Sequence, residues 1–168
     1  MNGFSCRQGL AICASAIFLF CLGGFGAEAR AGIAGKSIHV VGWQQSTYCG
    51  GAGGGCRTVS RVNLNLKIYI SQDGRSVFDY GQKSNSGDVS KIGVKNKYGQ
   101  IYTISGNRLT SRLVAPNDNR ITTYQYFTIN GKHCSYSYKT IFANNLRRHI
   151  PRVSLRSCTV RDGNSFAR

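Results

Sequence analysis

VNLNLKIYI, residues 62–70, alternates strictly between apolar and polar side chains. This period of two predicts a β-strand with one buried face. An Asp-Gly pair at 73–74 interrupts the pattern, and residues 77–80 resume it. Asp-Gly between two such runs is typical of a two-residue hairpin turn, whose central positions need positive φ. The turn predicts that Ile70 lies opposite Val77.

A second hairpin is predicted around the Asn-Gly pair at 130–131. Residues 121–129 (ITTYQYFTI) and 132–142 (KHCSYSYKTIF) flank this pair and are rich in β-branched and aromatic side chains. Asn-Gly between such segments is a strong hairpin signal. A turn centred on this pair places Phe127 beside Cys134 on one face of the sheet.

Other segments favour short strands as well. Glycine, proline and asparagine clusters divide them, and they cover residues 37–43, 91–95, 100–105, 108–115 and 152–160. Residues 142–149 are the one stretch that favours a short helix. About nine short strands without a long helical pattern predict an all-β fold, a single small antiparallel β-sandwich or β-barrel. Periodicity alone does not choose between these two.

Residues 1–31 follow the three-part plan of a secretory signal peptide. A positive charge precedes an apolar run at 10–22, and small residues then fit cleavage near Ala29 or Ala31. A retained anchor needs about 20 apolar residues, which is more than this run offers. We therefore expect an exported protein, periplasmic or secreted, with a single β domain at 32–168 and no membrane span after cleavage.

Four cysteines follow the signal segment: Cys49, Cys56, Cys134 and Cys158. An even number of cysteines in an oxidising compartment favours two disulfides, for which three pairings are possible. The short glycine-filled ring between Cys49 and Cys56 can close without strain, which leaves Cys134 with Cys158. A zinc site is the alternative, but no CxxC or HxxxH spacing supports one, and no metal is expected.

The charge balance is the most unusual property of the chain. Excluding Arg7, Arg30 and Glu28 from its 22 basic and 6 acidic residues leaves 20 basic residues against five aspartates, a net charge of +15. Such an excess attracts polyanions. The expected partners are nucleic acid, acidic polysaccharide, anionic lipid or an acidic protein, and solubility alone is the alternative explanation.

The C-terminal stretch is the strongest binding candidate, because arginine forks match phosphate and carboxylate geometry. Its candidate binding residues are Arg147, Arg148, Arg152, Arg156 and Arg161. In a simple strand register Arg152, Ser154 and Arg156 share one face. Cys158 then falls on that same face, which requires a β-bulge or a different strand. The alternative is a solvated strand face. Lys95, Lys97 and Tyr98 form a weaker patch of the same kind.

No motif with catalytic specificity is present, and no cofactor is expected. The glycine-rich ring at 48–57 lacks the Gly-Lys-Ser/Thr of a P-loop, no Gly-x-Ser-x-Gly elbow occurs, and the five aspartates form no recognisable pair for acid–base work. His39, His133 and His149 have no spacing rule that ties them together. A ribonuclease-like hydrolase that uses His133 and His149 is the form an enzyme would take.

Three segments carry a resemblance to other proteins: IYISQDGRSVFDY at 68–80, KHCS at 132–135 and SCTVRDGN at 157–164. In these the chain resembles small exported two-disulfide β proteins of alphaproteobacteria that have no assigned function. The resemblance implies export and a two-disulfide β domain, and it implies no catalytic or binding residue.

Together these observations predict an exported, non-enzymatic binding domain for an anionic partner or surface, such as a polyanion, an envelope polysaccharide or lipid phosphate. Two alternatives stay open. One is a small basic hydrolase that acts on RNA, and the other is a structural envelope protein without a defined site.

Overall fold

The protein is described by a computed structural model that covers residues 32–51, 53–81, 87–115, 118–143 and 147–167. These residues form ten β-strands and no helix, so no helix in them is long and apolar enough to cross a membrane. The predicted signal peptide lies outside the described residues. The strands are β1 Lys36–Gly50, β2 Cys56–Thr58, β3 Val62–Ile70, β4 Ser76–Asp79, β5 Asp88–Lys91, β6 Gln100–Ser105, β7 Arg108–Ala115, β8 Asp118–Asn130, β9 His133–Phe142 and β10 Arg147–Asp162.

The strands form a nearly closed antiparallel barrel in the order β5-β4-β3-β1-β10-β9-β8-β7-β6, and β2 pairs with the end of β1. All neighbouring pairs are antiparallel. Because the ring has nine strands, an odd number, β5 and β6 run in the same direction where they meet. Their ladder does not close. Instead, the Gly93 N–H donates to the Tyr102 carbonyl at 2.8 Å. Of the two predicted architectures, the chain adopts the barrel.

The core fills the inside of this barrel with alternate residues from the strands. Ile38 and Val40 of β1 face Val160 and Cys158 of β10, and all four are buried. Burying such side chains stabilises the fold by roughly 1.5–3 kcal/mol for each large aliphatic residue. The remaining buried hydrophobic residues of this cluster are Ile33, Leu64, Ile68, Ile70, Val77, Tyr102, Leu109, Phe127, Ile129, Tyr136 and Tyr138.

The register of the first predicted hairpin is confirmed, because Ile70 pairs with Val77. The register of the second is wrong by two residues. Asn130 is the last residue of β8 and pairs with His133, so the two-residue turn is Gly131-Lys132, with Gly131 at a φ of 61°. Phe127 consequently pairs with Tyr136 rather than with Cys134. A shift of two residues leaves the same side chains facing inward, so the predicted core face survives.

Two further predictions are corrected by the structure. Of the strand expected at 91–95, only Lys91 is in a strand, and the chain then turns, because the Asn96 side chain accepts the backbone N–H groups of Tyr98 and Gln100 at 3.0 and 2.9 Å. The short helix expected at 142–149 is not formed by its described residues. Phe142 ends β9, and β10 begins at Arg147 because its first residues pair with the end of β1.

Both predicted disulfides are present. Cys49–Cys56 joins β1 to β2 in register, and Cys134–Cys158 joins β9 to β10. Cys158 is buried and Cys134 is half-buried against the core, so the second bridge is part of the packed interior. Two disulfides suit an oxidising, exported compartment.

Candidate functional site

A β-bulge in β10 decides where its arginines point. Val41 pairs with Ser157 and Gly42 pairs with Leu155, so Arg156 is an extra residue without a partner on β1. The bulge returns Cys158 to the inner face of the barrel opposite Val40, which resolves the conflict that the simple register left. Arg152 and Ser154 share the outer face of β10, whereas the prediction that Arg156 continues this row is wrong, because Arg156 sits in the bulge.

Trp43 forms the centre of the outer face of β1. The guanidinium of Arg61 lies 4.2 Å from the centre of the indole ring, and that of Arg152 lies 5.8 Å from it. Both distances fall within the range of cation–π attraction, which is worth about 0.5–1 kcal/mol at exposed sites. The indole therefore holds two positive groups close to each other, one from the residue just before β3 and one from β10.

A cleft of about 620 Å³ opens at the end of β1 next to this face. Two arginines line it, Arg57 of β2 and Arg147 of β10, together with Tyr48 of β1. The rest of its lining is Gly50, Gly53, Gly55, Cys56 and Val59. A Cβ on Gly51 would lie 3.4 Å from Nε of Arg147, and the φ of Gly51 is +100°. Glycine at this position thus lets the guanidinium lie close to the disulfide ring.

We define the arginine surface by six residues, one on β2, one just before β3 and four on β10: Arg57, Arg61, Arg147, Arg148, Arg152 and Arg156. All six are exposed. Within the described part of the chain the ion pairs are Lys36–Asp162, Lys97–Asp88 and Arg120–Asp118, so none of the six arginines is paired with an acid there. Arg161, the fifth predicted site residue, lies toward the other end of β10 opposite Ser37 and does not belong to this surface.

Sequence reasoning missed Arg57, Arg61, Trp43 and Tyr48. Arg57 and Arg147 are ninety positions apart in the numbering, and they meet only because β2 and β10 pair with opposite edges of β1. The alternation of side chains within one strand does not predict which distant strands become its neighbours. The sequence did offer one indication of this site: Trp43 in the first strand segment is followed by Arg57 and Arg61 shortly before the next long strand.

A polar network lies inside the same end of the barrel. The Thr140 N–H donates to Nδ1 of His149 at 2.8 Å, and Nε2 of His149 lies 3.0 Å from the Ser46 hydroxyl. That hydroxyl lies 2.8 Å from the Tyr138 hydroxyl, which donates to the Gln45 carbonyl at 2.7 Å. Burial lowers the pKa of His149 and raises that of Tyr138.

The Ser46–His149 contact has the composition of a nucleophile and a base but the wrong proton arrangement. Because Nδ1 accepts from a backbone N–H, the neutral ring carries its proton on Nε2 and donates it to Ser46. A general base at this position needs an accepting Nε2. The contact is therefore a structural hydrogen bond in this arrangement.

The three histidines do not converge. His39 lies 2.9 Å from the Asn65 amide oxygen on the outer face and packs edge-on against Phe166. His133 begins β9, whereas His149 contacts Thr140 near the other end of β9. Seven residues of strand separate these two points, which is about 23 Å. The structure thus does not bring together the pair that a ribonuclease-like site was expected to use.

Two other features of the described residues bear on ligands. No group of three or more His, Cys, Asp or Glu side chains among them is placed to hold a metal ion. A second cleft, of about 390 Å³, brings the predicted patch of Lys95, Lys97 and Tyr98 together with Lys91.

Comparison with known proteins gives no match, since no family model, curated protein or solved structure aligns with the chain. The functional argument therefore rests on the geometry of the arginine surface.

Proposed function

We propose that this chain is an exported, periplasmic or secreted, non-enzymatic domain that binds an anionic polymer through the arginine surface. The observation that supports this most is the cleft at the end of β1, which Arg57 of β2 and Arg147 of β10 line together with Tyr48.

The charge state of the surface favours an anionic ligand. Six exposed guanidinium groups without acidic partners in the described part repel each other, and bound oxyanions relieve that repulsion. Each guanidinium offers a planar fork of donors that fits phosphate, sulfate or carboxylate oxygens, with hydrogen bonds about twice as strong as neutral ones.

The layout of the surface favours an extended ligand over a single small ion. Arg148 and Arg152 lie on the outer face of β10, four residues and therefore about 13 Å apart. The Arg61–Trp43–Arg152 stack lies at one end of this row and the cleft at the other. A polymer with charges at intervals contacts both ends at once, and the cleft holds one of its units.

A comparison of two charge-matched variants tests this proposal. One variant is Arg147→Gln/Arg148→Gln/Arg152→Gln in the arginine surface. The control is Arg75→Gln/Arg108→Gln/Arg112→Gln, which removes three exposed arginines elsewhere. We expect heparin binding, measured by titration calorimetry, to weaken at least about tenfold more in the first variant. Its salt dependence should also become shallower, because fewer counterions are released.

Equal losses in the two variants would mean that the attraction is diffuse, and the proposed surface would then be wrong. Circular dichroism and melting curves identify any loss that comes from unfolding. Neither set contains a buried side chain, so both variants should fold.

A further inference from the structure

Exposed apolar side chains gather at the end strand β5 and the turn that follows it. Among the described residues, four large hydrophobic side chains are more than half exposed: Val89 at 58%, Val62 and Tyr98 at 54%, and Val94 at 53%. Three of these four, Val89, Val94 and Tyr98, line one cleft of about 390 Å³. An exposed apolar cluster of this kind indicates a contact surface.

Basic side chains line the same cleft. Lys91 and Lys95 are exposed and form no ion pair within the described part of the chain. Lys97 instead pairs with Asp88 at 3.0 Å, and the Tyr98 hydroxyl donates to the same carboxylate at 3.1 Å. These contacts tie the turn to β5 and leave Lys91 and Lys95 as the two cations available to a ligand.

The turn holds these side chains outward in a defined arrangement. The Gly99 N–H donates to the Asn96 carbonyl at 3.0 Å, the Asn96 N–H donates to the Gln100 carbonyl at 2.9 Å, and the Val94 N–H donates to the Lys91 carbonyl at 3.2 Å. The segment lies where β5 and β6 fail to close the barrel, and Val89 and Val94 are more than half exposed among the described residues.

We propose that this segment, the lysine–valine edge of Val89, Lys91, Val94, Lys95 and Tyr98, docks the domain onto an anionic lipid bilayer. Lysines reach lipid phosphates while aliphatic side chains enter the boundary between headgroups and acyl chains. A tyrosine suits that boundary because its ring is apolar and its hydroxyl polar. A hydrophilic anionic polymer would not bury the apolar surface of the valine side chains, whereas a bilayer would.

The size of the edge favours a lipid surface over a protein partner. A standard protein interface takes about 20–30 residues from each side, whereas nine residues line this cleft. Lipid docking needs only a few inserted side chains and some basic residues. In the ring order, β4, β3 and β1 separate β5 from β10, which carries four of the six arginines of the arginine surface, so a polymer and a bilayer have separate places on the barrel.

The apolar part of the proposal is tested with Val89→Ser/Val94→Ser in co-sedimentation with vesicles of phosphatidylglycerol and phosphatidylcholine. The matched control is Val62→Ser/Ile141→Ser, which changes two exposed apolar side chains elsewhere, at 54% and 40% exposure. We expect affinity for the anionic vesicles to fall at least about tenfold in the first variant and less than about twofold in the control.

The charged part of the proposal is tested with the double variant Lys91→Gln/Lys95→Gln. The control is Arg112→Gln/Lys139→Gln, which removes the same number of positive charges outside the edge. Loss of two lysines at the contact should weaken binding to anionic vesicles by roughly thirtyfold, and the control pair should cost several times less. The protein should bind vesicles of pure phosphatidylcholine far more weakly.

Three results would overturn the proposal: equal losses in the lysine and control pairs, vesicle binding that is indifferent to Val89→Ser/Val94→Ser, or vesicle binding that is lost only in the arginine-surface variant. Heparin binding should stay unchanged in the lysine–valine edge variants, which separates this proposal from that of the arginine surface. Melting curves confirm that each variant is folded.

Discussion

The ring of His149 occupies the place of a strand carbonyl opposite Thr140. β9 and β10 share one backbone pair, Thr159 with His133, at one end of their contact. Toward the other end the Thr140 N–H donates to Nδ1 of His149, at 2.8 Å. A titratable side chain thus bridges the junction between two strands, and its neutral form is the one that accepts this bond.

The stability of the barrel should therefore depend on pH through His149. Burial lowers the pKa of His149, so the unfolded chain takes up a proton at a higher pH than the folded chain does. Stability is then complete above the unfolded value of about 6.5 and falls as pH drops from there through the folded pKa. Urea unfolding at a series of pH values between about 7.5 and 4.5 measures this slope.

His149→Gln removes the titration while keeping a side-chain carbonyl as an acceptor for Thr140. We expect this variant to lose most of the slope in that range, even if its stability at pH 7.5 is lower. His133→Gln, which changes an exposed histidine at the start of β9, should retain the slope. A wild-type profile that is flat between pH 7 and 5, or a slope that vanishes with His133, would contradict this role for His149.

Gly42 should be the least replaceable residue of β1. A Cβ on it would lie 2.2 Å from the Ser154 carbonyl oxygen and 2.9 Å from Cα of Leu155. These are backbone atoms at the β-bulge, and they cannot rotate away as a flexible side chain does. Gly42→Ala should therefore destabilise the fold by about 1–3 kcal/mol.

Gly81→Ala is the control, because no atom of the described residues lies within 4 Å of a Cβ at this exposed position and its φ is not in the left-handed region. This change should shift the urea midpoint very little. If Gly42→Ala had equally little effect, β10 would have to move away from β1 at low cost, and the bulge would not be a fixed feature of the barrel.

The sequence predicted what local pattern controls. Alternation across residues 62–70 and the Asp-Gly turn were sufficient for the pairing of Ile70 with Val77, and the short glycine ring was sufficient for Cys49–Cys56. The second hairpin turns at Gly131-Lys132, and its last pair is Asn130 with His133 instead of Ile129 with Lys132. Turn chemistry alone did not distinguish these two registers.

The candidate site was harder to predict, because pairing between distant strands builds it. Arg148 and Arg152 were visible as a basic run. Their neighbours Arg61 and Trp43 became relevant only once β1 paired with both β3 and β10. The position of Cys158 indicated either a β-bulge or a different strand, and the structure has the bulge, at Arg156.

Asp79 and Tyr102 provide a test of the junction where the barrel stays open. The Tyr102 hydroxyl, in an almost completely buried side chain, donates to Oδ2 of Asp79 at 3.0 Å and so connects β4 to β6. Burial raises the pKa of Asp79, and the hydrogen bond from Tyr102 partly opposes this shift. Because the folded pKa is the higher one, this carboxyl lowers stability as pH rises from about 3.8 through the folded pKa.

Asp79→Asn should separate the hydrogen bond from the charge. The amide oxygen still accepts from Tyr102 and no buried charge remains, so at pH 7 the variant should be at least as stable as the wild type. Its advantage should shrink toward pH 4. Asp79→Ala leaves the buried hydroxyl without this acceptor and should cost about 1–3 kcal/mol.

At the exposed Asp73, whose pKa the Ser71 hydroxyl lowers, the change to Asn should act in the opposite direction and reduce stability at pH 7. Urea unfolding of the three variants at pH 7 and pH 4 gives the comparison. Equal destabilisation by Asp79→Asn and Asp79→Ala would show that the charge itself, and not the accepted hydrogen bond, holds β4 to β6.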